Sequence, residues 1–162
     1  MEIVRIDNTT AETVVPLIAA FRVTLSSYRG IAAEPDLPAA AEEIREFLDK
    51  GYPVYAAMED GECAGYLVCR IEKPCLWVEH FYVRETARRR GVGTMLFRKA
   101  EETAASMGED TVYNYVHPNN EGMIAFLRSR GYTVLNMIEV RKPYRGETLS
   151  TTVHVDGNEF DY

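Results

Sequence analysis

Arg88-Arg89-Arg90-Gly91-Val92-Gly93 is the most telling stretch of this chain. It follows a strand-like run, Leu76 to Val83, rich in aromatic and β-branched residues. It leads into a segment where Met95, Leu96, Ala100, Ala104 and Met107 recur at helical spacing until Gly108, a helix stop. The first N–H groups of a helix lack intrahelical partners and sit at the positive end of its dipole. A helix that opens behind basic side chains and two glycines is therefore suited to a phosphate group, because glycine lets the backbone turn tightly and approach a ligand closely. A Walker loop would need Gly-Lys-Ser/Thr, whereas Gly93 is followed by Thr94-Met95. A dinucleotide fingerprint would need a third small residue where Leu96 stands. A nucleotide-binding regulator would rest on the two glycines alone.

The flanking segments extend the pattern. Thr111 to Val116 reads as a strand, His117-Pro118-Asn119-Asn120 as the entry to a helix ending near Arg130, and Gly131-Tyr132 as the start of a further strand. Upstream, Glu2 to Ile6 reads as a first strand, and Thr9-Thr10-Ala11-Glu12 as a capping box opening a helix through Val14, Leu17, Ile18, Phe21 and Leu25. A loop from Ser26 to about Pro38 precedes a second helix ending at Lys50-Gly51. Val54 to Met58 and Cys63 to Glu72, joined by Glu59-Asp60-Gly61-Glu62, form a hairpin signal. Strands are also expected at Tyr132 to Leu135 and Met137 to Arg141, and a hairpin in the tail from Thr148 to Tyr162, around Asp156-Gly157.

Arg88-x-x-Gly91-x-Gly93, followed by the helix-opening Asn120 and by Gly131-Tyr132, resembles in order and spacing the two motifs of the GNAT superfamily of acetyl-CoA-dependent N-acetyltransferases. The resemblance covers about residues 54 to 142. It implies an α+β fold, a mixed, mostly antiparallel central sheet flanked by about four helices, with the domain at 1–147 and a C-terminal hairpin or tail at 148–162. It implies acetyl-CoA as co-substrate, and assigns its pyrophosphate to Arg88, Arg89, Gly91, Val92, Gly93 and Thr94, and its pantetheine amides to the backbone of Phe81, Tyr82 and Val83. Asn120 matches the family's cofactor-side Asn, although a helix cap explains it nearly as well. Arg22 and Tyr28, near the loop that covers the acceptor in this family, are candidate substrate contacts, as is Trp77.

Deprotonating the acceptor needs a base. Glu79 is the candidate, since strict alternation puts it on one strand face with Trp77 and Phe81 and puts His80 on the other. A purely electrostatic anchor for the substrate ammonium is the competing role. The family's general-acid Tyr is missing: Leu127 stands there, with Tyr113 and Tyr115 on the neighbouring strand as substitutes. A thiol of pKa about 8.5 leaves tolerably without an acid. Leu127 leaves open a catalytically silent acyl-CoA-binding module; Glu79 favours transfer to a primary amine of a small molecule or protein.

The 162 residues suit one sizeable core. A net charge of −7 disfavours nucleic acid and would attract a cationic amine. No apolar run predicts a membrane span, the first residues lack the layout of a signal peptide, and a cytoplasmic enzyme is expected. Cys63, Cys69 and Cys75 are not spaced as a zinc site, so no metal is expected and they read as reduced packing residues. Phe160 and Tyr162 suggest that the tail supports a homodimer.

Overall fold

Asp60 and Gly61 adopt φ of 51° and 83°, the left-handed pair that a two-residue hairpin turn demands. They join β2 (Val54–Glu59) to β3 (Glu62–Glu72), the centre of a five-stranded sheet ordered β1 (Glu2–Arg5), β2, β3, β4 (Cys75–Val83), β5 (Tyr113–Asn114). The first four strands are antiparallel to their neighbours and β5 joins β4 in parallel, as a strand returning through a helix does. Four helices accompany the sheet: α1 (Val15–Tyr28), α2 (Leu37–Asp49), α3 (Val92–Ser106) and α4 (Glu121–Ser129). A separate hairpin, β6 (Thr152–Val155) with β7 (Asn158–Asp161), turns at Asp156-Gly157. The computed structural model describes residues 1–162, and these divide into two compact units, 1–125 and 126–162. The predicted sheet, helix count and terminal hairpin are all present.

In the first unit, α1 and α2 cover the sheet face bearing Val54, Ala56, Tyr66 and Val68, with Val14, Ile18, Ile44 and Phe47 fully or nearly fully buried against it. Phe97 of α3 meets Phe81 on the opposite face, ring centroids 5.9 Å apart. Gly65 lets these layers close. A Cβ there would stand 2.8 Å from the Tyr82 carbonyl oxygen and 3.1 Å from Leu96.

β4 departs from simple alternation. Val68 is paired with His80 but Cys69 with Val78, so Glu79 is an extra residue, a β-bulge. Directly opposed residues share a sheet face. Trp77 lies opposite Arg70 and Phe81 opposite Leu67, and Leu67 and Arg70, three residues apart in β3, face opposite ways. Trp77 and Phe81 therefore lie on different faces. Glu79 follows Trp77 and its partner Arg70 to the α1/α2 side, where His80 also points, so the expected opposition of Glu79 and His80 does not hold.

Other expectations shift locally. The capping box at Thr9 to Glu12 does not form, because the Asp7 carboxylate accepts from the N–H groups of Thr9 and Thr10 and from both hydroxyls; a 3-10 turn, Ala11–Thr13, then leads into α1. α1 runs on to Tyr28, and α2 starts at Leu37 behind Asp36, whose carboxylate caps Ala39 N–H at 2.9 Å. The strand expected over Thr111 to Val116 is ladder-paired only at Tyr113–Asn114. Tyr132 to Leu135 and Met137 to Arg141 form no strand: strand-like composition states a preference, but a strand exists only where a neighbour supplies the ladder.

Candidate functional site

Gly91 is the N-cap of α3, with φ of 85°, and no side chain caps the helix. The first N–H groups of α3, from Val92, Gly93 and Thr94, thus open toward the loop that precedes them. Arg89 also takes a left-handed φ of 61°, so the loop bends at Arg89 and again at Gly91 just before the helix starts. The three arginines divide their work. Arg90 is tied to Glu59 at 2.6 Å. Arg88 folds back, donating from Nε to the Val83 carbonyl at 3.0 Å, with its guanidinium 5.7 Å from the centre of the Tyr82 ring. Arg84, at the mouth of the loop, pairs with Glu62 at 2.7 Å. Arg88 also pairs with Glu85 through Nη1 at 3.5 Å, so of the three loop arginines Arg89 alone has no carboxylate partner.

Beside this loop the sheet opens. The parallel ladder between β4 and β5 consists of Trp77–Tyr113 and Val78–Asn114 and then stops, while β4 continues through the Glu79 bulge to Val83. Phe81, Tyr82 and Val83 thus run beyond the end of the β5 ladder and lead directly into the Arg84 to Gly91 loop. Asn120 heads α4 and accepts from Met123 N–H at 3.1 Å, the helix-cap role, whereas Asn119 donates to the Tyr28 carbonyl at 2.9 Å.

Glu79 accepts from Arg70 Nε at 2.8 Å and remains about one-third exposed. Arg70 also pairs with Glu72 and lies 5.5 Å from the centre of the Trp77 ring. Trp77 in turn is packed between Tyr113, at 4.8 Å, and Tyr115, at 4.7 Å and nearly parallel. The two tyrosines are thus ring neighbours of Trp77 at the sheet margin.

His80 is 4% exposed, packed edge-on against Phe21 and Phe47. Burial, helped by the Arg22 charge, pushes its pKa down to about 3, so the ring is neutral. Its Nε2 lies 3.5 Å from Glu43 Oε1, which places the proton on Nε2, and the buried Tyr66 hydroxyl donates to Nδ1 at 3.0 Å. Glu43 is also gripped by Arg22, whose Nε donates at 3.0 Å. These two residues line a cavity of about 330 Å³ between α1 and α2, shared with Ser26, Glu34 and Asp36. Of the candidate substrate contacts, only Arg22 lines this cavity. Tyr28 stacks on His117, centroids 5.6 Å apart, and Trp77 belongs to the aromatic cluster.

Sequence reasoning missed Glu43. Its signal is present: Ala40, Ile44 and Phe47 form the buried stripe of α2, and Glu43 stands three residues after Ala40 and four before Phe47, a carboxylate within an apolar face.

Residues 18–132 match the family model described as "Acetyltransferase (GNAT) family". The chain belongs to the GNAT acetyltransferase family. An uncharacterized N-acetyltransferase from the pepI 3′ region of Lactobacillus delbrueckii subsp. lactis is 31% identical over 96 residues, 54% of this chain and 56% of that protein. The chain thus spans little more than half the length of that curated relative. Among solved structures, aminoglycoside 6′-N-acetyltransferase AAC(6′)-IG from Acinetobacter haemolyticus superposes with a TM-score of 0.68 at 20% identity, over 89% of this chain and 99% of that one. AAC(6′)-Iy, solved with the bisubstrate analogue CoA-S-monomethyl-acetylneamine, superposes with a TM-score of 0.67 at 18% identity, over 88% and 98%. At such identities the structures share the GNAT fold. Within that fold, the α3 N-terminus, the end of the β4–β5 ladder and the Glu79 bulge are consecutive features of this GNAT chain.

Proposed function

We propose that this GNAT protein transfers the acetyl group of acetyl-CoA to a primary amine. The observation that carries the reading is the uncapped α3 N-terminus behind Arg88 to Gly91, placed at the end of a β4 strand that outruns its β5 partner. In this reading the N–H groups at Gly91 to Thr94, with Arg88 and Arg89, hold the pyrophosphate, and the backbone of Phe81, Tyr82 and Val83 aligns the pantetheine arm. Asn120 fixes the start of α4 beside it. Use of a CoA thioester is supported by the bisubstrate analogue held by AAC(6′)-Iy, and transfer of acetyl by the family description.

The amine nitrogen attacks the thioester carbonyl, the C–S bond breaks, and CoA leaves as its thiol. The ammonium must first lose a proton, and Glu79 is the proposed acceptor, directly or through one water, at the bulge where β4 parts from β5. Arg70 holds that carboxylate in place. The α1/α2 cavity is proposed to receive the acceptor: with Glu34, Asp36 and Glu43 against the single positive charge of Arg22, its lining favours a cation. Tyr28 and Trp77 are proposed to contact more distant parts of the substrate. Small-molecule amines are favoured by the aminoglycoside acetyltransferases among the structural neighbours, with an exposed protein amine as the second class. Free Cys63, Cys69 and Cys75 suit a reducing compartment, and the cytoplasm is the proposed location. A homodimer is also proposed.

The test is release of free CoA thiol from acetyl-CoA across a panel of amines, including aminoglycosides, polyamines and peptide N-termini. Amine-dependent release supports transfer. Tight acetyl-CoA binding with no release for any amine would replace it with a silent binding module.

A further inference from the structure

The Glu43 side chain, 18% exposed, stands in the buried stripe of α2 between Ala40 and Phe47. Its carboxylate is held from two sides. From the sheet, His80 Nε2 faces Oε1 at 3.5 Å. That ring is itself fixed, with Phe21 and Phe47 packed against it at centroid distances of 4.8 and 4.9 Å and the buried Tyr66 hydroxyl donating to Nδ1 at 3.0 Å. From α1, Arg22 Nε donates to Oε2 at 3.0 Å and Nη2 contacts Oε1. The two sides differ in kind: His80 is buried, whereas the Arg22 side chain is half-exposed. An ion pair with an exposed partner contributes little and opens readily, and the carboxylate keeps its place on His80 when Arg22 leaves it.

The pair lies on the wall of the α1/α2 cavity, whose lining belongs wholly to the first compact unit. The other carboxylates there are placed differently: Asp36 caps α2 through Ala39 N–H, and Glu34 is exposed. Val23, Ala39 and Ala40 add apolar surface to the same wall. The cavity thus suits a cation seated on Glu43 with a hydrocarbon chain beside it, and the Arg22 guanidinium takes that seat. The chemistry of transfer decides which nitrogen of an acceptor replaces it. The attacking nitrogen must be neutral, with its lone pair free, whereas a group held on Glu43 is held by its charge. One nitrogen does not serve both ends. Glu79, the proposed base, adjoins His80 in β4, so the two carboxylates serve two nitrogens of one molecule. We infer that Arg22 is a built-in stand-in for a second cation of the acceptor, which is a diamine or larger polyamine: one ammonium displaces Arg22 from Glu43 while another nitrogen is acetylated. At that other nitrogen the bond to the acetyl carbon forms as the C–S bond breaks; one proton goes to Glu79 and one leaves with CoA as its thiol. Glu43 sets specificity and takes no proton.

The second-cation seat rests on the α1/α2 cavity being the acceptor site, and a binding measurement separates it from acetyl transfer. A linear diamine and the monoalkylamine of equal length are titrated by calorimetry into the full chain loaded with CoA, which prevents turnover. The wild type should prefer the diamine by about tenfold or more, the scale of a hydrogen bond to a charged group, and Glu43→Gln should abolish that preference. Arg22→Met, which removes the stand-in, should tighten the diamine by about threefold to fivefold, the scale of a half-exposed ion pair, and leave the monoamine unchanged. Diamine binding that is unchanged or weaker in Arg22→Met overturns the stand-in, and a wild type that binds both amines alike overturns the second-cation seat. In the CoA-release assay Glu43→Gln should raise KM for the diamine and keep kcat; a fall in kcat at constant KM would place Glu43 in the proton transfer and overturn its assigned role. A preference for the diamine without CoA release for any amine would refute acetyl transfer and support the seat. Should Arg22→Met misfold, nuclear magnetic resonance on the wild type decides: the Arg22 Nε–H signal should move on adding the diamine and stay in place with the monoamine, and a signal that responds to both or to neither overturns the displacement.

Discussion

Replacing Gly91 with Asp puts a carboxylate at the N-cap of α3, where the account places pyrophosphate. The residue has φ of 85°, and a Cβ built there meets nothing within 4 Å. Any side chain therefore fits but bears the cost of the left-handed conformation, about 1–2 kcal/mol. Gly91→Ala isolates that cost. For a chain of this size it should lower the melting temperature by roughly 2–8 °C, at about 2–4 °C per kcal/mol. Asp adds electrostatics: a unit charge about 5 Å from a phosphate charge, at an effective dielectric of about 20, opposes binding by about 3 kcal/mol, a loss of more than about a hundredfold in affinity. Acetyl-CoA at about 100 times its Kd stabilises the wild type by about 2.7 kcal/mol, a rise of about 5–10 °C. At the same ligand concentration the Asp variant should gain roughly 1 °C, and the Ala variant should keep most of the wild-type rise. The assay is differential scanning fluorimetry with and without acetyl-CoA, comparing the shifts and not the absolute midpoints. A full shift in Gly91→Asp would refute the placement of pyrophosphate at this helix start.

Three further outcomes follow from other parts of the site. Glu79→Gln should leave acetyl-CoA affinity intact and lower kcat by about a hundredfold or more; a change of only a few fold across pH would remove Glu79 as the base. His80, with a pKa near 3 in the fold against an ordinary 6.5, binds a proton more readily when unfolded. Its contribution to stability is therefore complete above about pH 6.5 and is lost as pH falls toward 3, at up to about 1.4 kcal/mol per pH unit. Urea melts at pH 7 and pH 5 should show a smaller loss for His80→Gln than for wild type, and equal losses would mean the ring is not held neutral. Gly65→Ala forces a Cβ against the Tyr82 carbonyl and should destabilise the chain by about 1–3 kcal/mol in urea while weakening acetyl-CoA binding; unchanged values for both would show that β3 and β4 can part there at no cost.

Local chemistry was legible in the sequence wherever one residue type answers one geometric demand. Asp60-Gly61 makes the hairpin, and Gly91 opens α3, because each backbone position needs a positive φ. The loop was readable for the same reason. What the sequence does not carry is register. The bulge at Glu79 depends on how β4 is set against β3, a relation between two strands that neither encodes alone, so period-two reasoning misplaced Phe81 relative to Trp77. Residues 132–141 show the same limit from the other side, since their composition asks for a sheet without naming which one. Asp7 displaced the expected capping box because its carboxylate takes both the Thr9 N–H that Glu12 would have accepted and the Thr9 hydroxyl that would have capped the helix. Glu43 was missed because the buried stripe of α2 was read for its apolar members alone, and the odd residue in such a stripe is the informative one.

The most direct test of acetyl transfer follows the acetyl group itself. Protein incubated with acetyl-CoA labelled on the acetyl carbons and with the best amine of the panel should yield, by mass spectrometry, labelled amide and free CoA in equal amounts, with negligible labelled acetate. Free CoA accompanied by labelled acetate, with no label on any amine, would show a thioester hydrolysed by water and contradict the account.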